Sequence, residues 1–263
     1  MTSTMSTPAP PTAEYAGYSA ALSSEWTKFH SVRAPGVVTL VLLAIYPLMA
    51  LIVAATESLE PDDTILGASV LGGAVLAQVL AAVMGANLVT SEFRTGSIQS
   101  TLLACPRRLT LLGAKASIAA GVVAVTTAIG TGAAFAVGLA MLDRETYRTG
   151  DLFPAVLGVV AAMGSVAVLG LAIGTIVRHP AGAVTAVVAV AMLPGVVAPM
   201  LGDGQRWVGG ASLDGVLQKL IQSSDATPET VGSLGAWPSL SVVVAYTAAA
   251  VVLGLWTLRR RDL

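Results

Sequence analysis

Charge is scarce in this chain of 263 residues: 11% are Asp, Glu, Lys or Arg, against 55% hydrophobic, with a mean hydropathy of +0.79. So few charges exclude an ordinary water-soluble domain and point to a membrane protein. A single cysteine, Cys105, excludes an intrachain disulfide and a cysteine-built zinc site. Two histidines, His30 and His179, are too few and too isolated for metal chemistry. The three lysines follow Thr27, Ala114 and Gln218, never a glycine, which excludes a Walker A loop. HExxH and GxSxG are absent as well. No catalytic residue, metal ion or cofactor is expected, nor a nucleic-acid partner.

Six stretches carry no Asp, Glu, Lys or Arg, at 34–56, 64–90, 116–142, 152–177, 179–202 and 230–258, and place spans at about 35–56, 64–90, 112–142, 152–177, 180–201 and 238–258. Each is close to the roughly 20 residues a membrane helix needs. The expected architecture is an all-α membrane protein with a single transmembrane domain over 15–263, preceded by a disordered tail at 1–14. That tail is rich in Pro, Ser and Thr and has no basic start, so it does not read as a cleaved signal peptide. With both termini cytoplasmic, 10 Lys and Arg fall inside and 4 outside, as the positive-inside rule favours. Ionisable residues are missing from the span interiors, which argues against a proton- or ion-coupled carrier. Gln78 and Asn87, the main large polar side chains of the second span, are candidate pathway-lining residues.

Ahead of the first span, Tyr18, Leu22, Trp26, Phe29 and Val32 recur at helical spacing and predict an amphipathic helix ending at Ala34-Pro35-Gly36. With Trp26, Lys28 and Phe29 it suits the headgroup layer, or a partner's surface. Glycines within the spans favour close helix packing, or reflect the general tolerance of membrane helices for glycine. Pro194 and Pro199 are expected to kink or end the fifth span. Between the fifth and sixth spans, Leu213, Val216, Leu217, Leu220 and Ile221 predict a short amphipathic outer helix, as a gate or as a cap.

The segment Thr90 to Lys115, TSEFRTGSIQSTLLACPRRLTLLGAK, is the most informative. Ser91 can cap a short helix with Glu92 in its first turn, running through Arg94 and Ile98 and stopped at Pro106. Gly96 punctuates it, and Arg107 and Arg108 follow. Such a knob at the membrane surface serves either a partner or simple anchoring by positive charge.

This segment, with the opening SSEWTKFHSVRAPG and the closing LWTLRRRDL, resembles the permease subunits of ABC-2 type transporters, especially actinobacterial export or immunity permeases. Ser91, Glu92, Phe93, Arg94, Gly96, Ser97, Ile98, Leu103, Pro106, Arg107, Arg108 and Lys115 match the loop between the second and third spans of such proteins. The resemblance implies a coupling helix there, seated in a cleft of a separate ABC ATPase present in two copies, which would bind the ATP. Glu92 and Arg94 would make the polar contacts, and Phe93, Ile98 and Leu102 or Leu103 would pack the knob. It also implies a second permease copy or a paralogue completing the pathway, and a location in the bacterial plasma membrane among its lipids. Apolar spans suit an amphiphilic cargo better than a sugar. The alternatives are a stand-alone membrane protein, either a secondary carrier or an embedded enzyme, and a structural subunit whose basic patches bind anionic lipid.

Overall fold

The computed structural model describes residues 17–56, 62–104 and 107–260. The expected tail at 1–14, Cys105, Pro106 and Arg261 lie outside the described residues. Among the described residues eleven α-helices run in chain order: α1 Tyr18–Ser31, α2 Arg33–Thr56, α3 Ile65–Thr95, α4 Ser97–Ala104, α5 Arg108–Met141, α6 Leu152–Val177, α7 Pro180–Val197, α8 Gln205–Ala211, α9 Leu213–Leu220, α10 Pro228–Val231 and α11 Ala236–Arg260. A 3-10 turn, Ala198–Gly204, links α7 to α8. The described residues contain no strand, only one isolated bridge between Thr64 and Arg148.

Among the described residues six helices are long and apolar enough to cross a membrane: α2, α3, α5, α6, α7 with its continuation, and α11. The chain is thus a multi-pass membrane protein. Its lipid-facing sides explain the many exposed Val, Leu and Ile along α2, α7 and α11. One end of the bundle gathers α1, α4 and the last turn of α11; the opposite end gathers α8, α9 and α10.

The second of these six helices, α3, is the axle. Its Ala82 and Ala86 lie against Gly170 and Gly174 of α6, while its Gly85 meets Ala167. A Cβ on Gly170 would overlap the Ala82 carbonyl oxygen, and one on Gly85 would overlap that of Ala167. Without a hydrophobic drive between helices in lipid, backbone approach of this kind supplies the packing. The glycine spacing is therefore used for close contact at this helix pair.

At the opposite end, α9 is the expected amphipathic helix, with Leu213, Val216, Leu217, Leu220 and Ile221 all buried. Ser212 caps it, its Oγ accepting from Gly215 N at 2.9 Å. Leu220 fills the space beside Gly158 of α6, so α9 is driven into the bundle end. Pro194 lies inside α7, and Pro199 stands in the first turn of the 3-10 segment that follows.

Several boundaries differ from the sequence reading. The second span does not stop at Thr90: α3 continues to Thr95 and ends on Gly96, whose φ of 72° is the left-handed conformation glycine adopts freely. Ser91 is accordingly a residue inside α3 and caps nothing. The third span starts at Arg108, so Lys115 lies two turns inside α5. Pro35 and Gly36 belong to the first turn of α2, where proline's missing donor costs nothing, and α1 ends earlier, at Ser31.

Candidate functional site

At the α1 end, four ionisable side chains from three helices converge. Lys115 Nζ of α5 donates to Glu25 Oε2 of α1 and to Glu92 Oε1 of α3, both at 2.7 Å. Lys28 Nζ of α1 donates to Glu25 Oε1 at 2.8 Å and to Glu92 Oε1 at 2.9 Å. Lys115 is 2% exposed, Glu25 5% and Glu92 7%, while the Lys28 side chain is 43% exposed. Two positive and two negative charges cancel, and that cancellation is what makes the burial tolerable.

Burial by itself would lower the Lys28 pKa. The hydrogen bonds and negative charges of Glu25 and Glu92 together outweigh it and hold the ammonium above its ordinary value. Lys28 also reaches Thr101 Oγ1 of α4 at 3.4 Å, so α1 touches the short helix as well. Glu92 Oε2 has no hydrogen-bond partner among the described residues.

Phe93, the next residue, faces a different set of helices. The Arg178 guanidinium sits 5.4 Å from its ring centroid and donates through Nη2 to Thr257 O at 3.1 Å. Arg108 Nη1 donates to Leu258 O. Two guanidiniums thus satisfy carbonyls in the last turns of α11, where the helix leaves acceptors unpaired and its dipole is negative. Arg178 itself holds the C-cap of α6 at φ 61°. Adjacent residues on α3 therefore connect to four other helices at this end: Glu92 to α1 and α5, and Phe93, through Arg178, to α6 and α11.

Beyond this junction Gly96 breaks the helix and α4 begins. Ile98 is buried and anchors it, while Arg94, Gln99, Ser100 and Leu103 are exposed, Leu103 at 85%. Of the residues the sequence singled out, Ser91, Arg94, Gly96 and Arg107 lie at the surface, Phe93 and Arg108 are half-buried, and Ile98 is buried. Glu92, expected to make polar contacts with a partner, is instead turned inward, because Lys28 and Lys115 both supply it with a counter-charge.

The face of α1 also differs from expectation. Ala21, Glu25 and Phe29 are its buried residues, whereas Tyr18, Trp26 and Val32 are half-exposed. Lys28, expected on the polar side, bends toward Glu92. Trp26 stacks on Phe29 at a ring-centroid distance of 6.2 Å, and Tyr18 Oη pairs with Ser117 Oγ at 2.7 Å. Glu25 and the internal role of Lys115 escaped the sequence reading. The available signal was a lysine set within an apolar stretch, LLGAKASIAAG, where an ionisable residue needs a partner.

Gln78 and Asn87 are not brought together. Nine residues is about two and a half helical turns, which sets them on opposite faces of α3. Gln78 is fully buried with neither amide atom paired among the described residues, and Asn87 is exposed.

No protein-family model matches the chain, and no curated protein matches it.

Proposed function

We propose that this chain is the permease subunit of an ABC-2 type transporter, with α4 as the coupling helix for a separate ATPase. In this reading the α1 end faces the cytoplasm of a bacterial cell, α1 is the interfacial helix, and α8, α9 and α10 lie on the outer side. Two permease copies, or this chain and a paralogue, form the pathway, two ATPase subunits bind ATP below them, and the cargo is an amphiphile.

One observation carries the reading. The last turn of α3 and the short helix α4 present Arg94 and Leu103 outward, while Glu92 and Phe93, just before the glycine break, bond into the α1 and α5 side and the α6 and α11 side of the bundle. A push on α4 would reach α1, α5, α6 and α11 through side chains already in contact. The basic residues of this end, among them Arg94, Arg107, Arg108 and Arg178, agree with a cytoplasmic orientation.

The test is co-purification of the chain in detergent with the cassette ATPase encoded beside it, followed by ATP hydrolysis. The expected result is a stable complex whose hydrolysis rate differs from that of the free ATPase, with the difference lost in Arg94→Ala and Leu103→Ala. Failure to bind any cassette ATPase would overturn the proposal in favour of a stand-alone membrane protein.

A further inference from the structure

We infer that α1 is a detachable latch, a helix that docks on the spans by exchanging ion partners and that can leave without stranding net charge in either part. The four charges divide into two neutral pairs. Glu25 and Lys28 stand three residues apart on α1 and bond each other at 2.8 Å. Glu92 and Lys115 belong to α3 and α5 and bond each other at 2.7 Å. The only ion pairs that docking adds are the crossed ones, Lys115 to Glu25 at 2.7 Å and Lys28 to Glu92 at 2.9 Å; beside them stand the bond of Tyr18 to Ser117 and the burial of Ala21 and Phe29, which involve no charge. When α1 departs, each carboxylate retains one ammonium. A buried tetrad built with both acids on one side and both bases on the other would leave two uncompensated charges in the membrane, a far costlier separation.

Other features of α1 suit a helix with two resting places. Neither end is held by a side-chain cap: Gly17 precedes it and Val32 follows in extended conformation. Its 14 residues are too few for an isolated helix in water, so an undocked α1 needs another surface. Tyr18 and Trp26, each 49% exposed, supply aromatic rings of the kind that settle in a headgroup layer. Undocking would also withdraw Lys28 from Thr101, so the position of α1 is communicated to α4. Neither pair is useful to the latch alone; its action depends on both being neutral.

The latch is tested on the full chain in lipid nanodiscs, with Cys105→Ser and a reporter Ala21→Cys on the buried face of α1. Docked α1 protects the reporter from a maleimide reagent. The double variant Glu25→Gln/Lys28→Gln, which leaves the span pair intact, is expected to raise the labelling rate about tenfold or more, with the melting temperature of the spans unchanged. Reversing the α1 pair alone, Glu25→Lys/Lys28→Glu, should label as fast. Reversing both pairs, by adding Glu92→Lys/Lys115→Glu, should restore protection because the crossed contacts are re-formed with opposite sign. Unchanged labelling in the double variant, no rescue by the fourfold reversal, or a loss of span stability as large as that of Glu92→Gln would each overturn the latch. None of these readouts involves an ATPase, so the latch and the transporter reading fail separately.

Discussion

Lys115 Nζ lies 2.7 Å from Glu92 Oε1, joining the end of one membrane-spanning helix to the start of the next across 23 residues of chain. The connection between those helices contains Gly96 and α4, and the ion pair closes it at its base. Whatever position α4 takes, it takes relative to this fixed point.

Removing one member of the pair strands a charge. Lys115→Met leaves Glu25 and Glu92 facing Lys28 alone, and Glu92→Gln leaves two ammonium groups facing Glu25. Breaking a buried pair in this way costs roughly 3–5 kcal/mol. The double variant Glu92→Gln/Lys115→Met is neutral again, and is expected to be more stable than either single variant. Thermal unfolding of the purified protein in detergent measures all three; a double variant as unstable as the sum of the singles would show that the pair has no coupling.

The helix-to-helix approach of α3 and α6 makes a sharper prediction. At Gly170 a Cβ meets backbone, which cannot rotate aside, whereas at Gly132 of α5 a Cβ meets nothing within 4 Å. Gly170→Val is expected to lose most folded protein, overpacking of about 1–3 kcal/mol being a lower bound where backbone is struck. Gly132→Val should be close to neutral. Size-exclusion profiles of the two variants decide the matter, and equal profiles would contradict the close approach.

The six spans were legible because charge-free runs of sufficient length announce themselves, and α9 was legible because its five apolar residues keep helical spacing. The site was less so. Hydropathy ends the second span at Thr90, where polar residues begin, yet α3 continues to Thr95. It can do so because Glu92 is neutralised by Lys28 and Lys115, which lie 64 and 23 residues away in the chain. Partners so distant leave no local signal. The face of α1 was misjudged for the same reason: its central buried residue is Glu25, which looks like a solvent residue until Lys115 is beside it.

Asp214 of α9 predicts a pH dependence. Burial raises its carboxyl pKa above the ordinary value, although a hydrogen bond from Gln218 acts in the opposite direction, and its Oδ1 is unpaired among the described residues. Between the unfolded and the folded pKa the folded state holds the proton more often than the unfolded state, so stability falls as pH rises through that interval. The contribution is fully present below about pH 4, the unfolded carboxylate value, and is lost as pH rises through the raised folded value. Asp214→Asn should therefore raise the melting temperature at pH 7, by an amount on the order of 1 kcal/mol in stability, and leave it unchanged at pH 4. A gain of equal size at both pH values would rule out the carboxylate as its source.

The break between α3 and α4 depends on one backbone conformation. Gly96 holds φ at 72°, and a Cβ placed there would meet nothing within 4 Å, so any penalty for substitution comes from the backbone and not from crowding. Alanine in the left-handed region costs roughly 1–2 kcal/mol, while asparagine visits it more readily. Gly96→Ala is thus expected to lower stability by about 1 kcal/mol and Gly96→Asn by distinctly less. A second consequence separates strain from mere instability. An alanine that relaxed to right-handed geometry would let α3 run on and carry α4 away from Lys28, whose bond to Thr101 would be lost. A cysteine at Thr101, with Cys105 replaced by serine, should then react faster with a maleimide in Gly96→Ala than in Gly96→Asn. Equal reactivity in the two would mean that α4 keeps its place without help from the glycine.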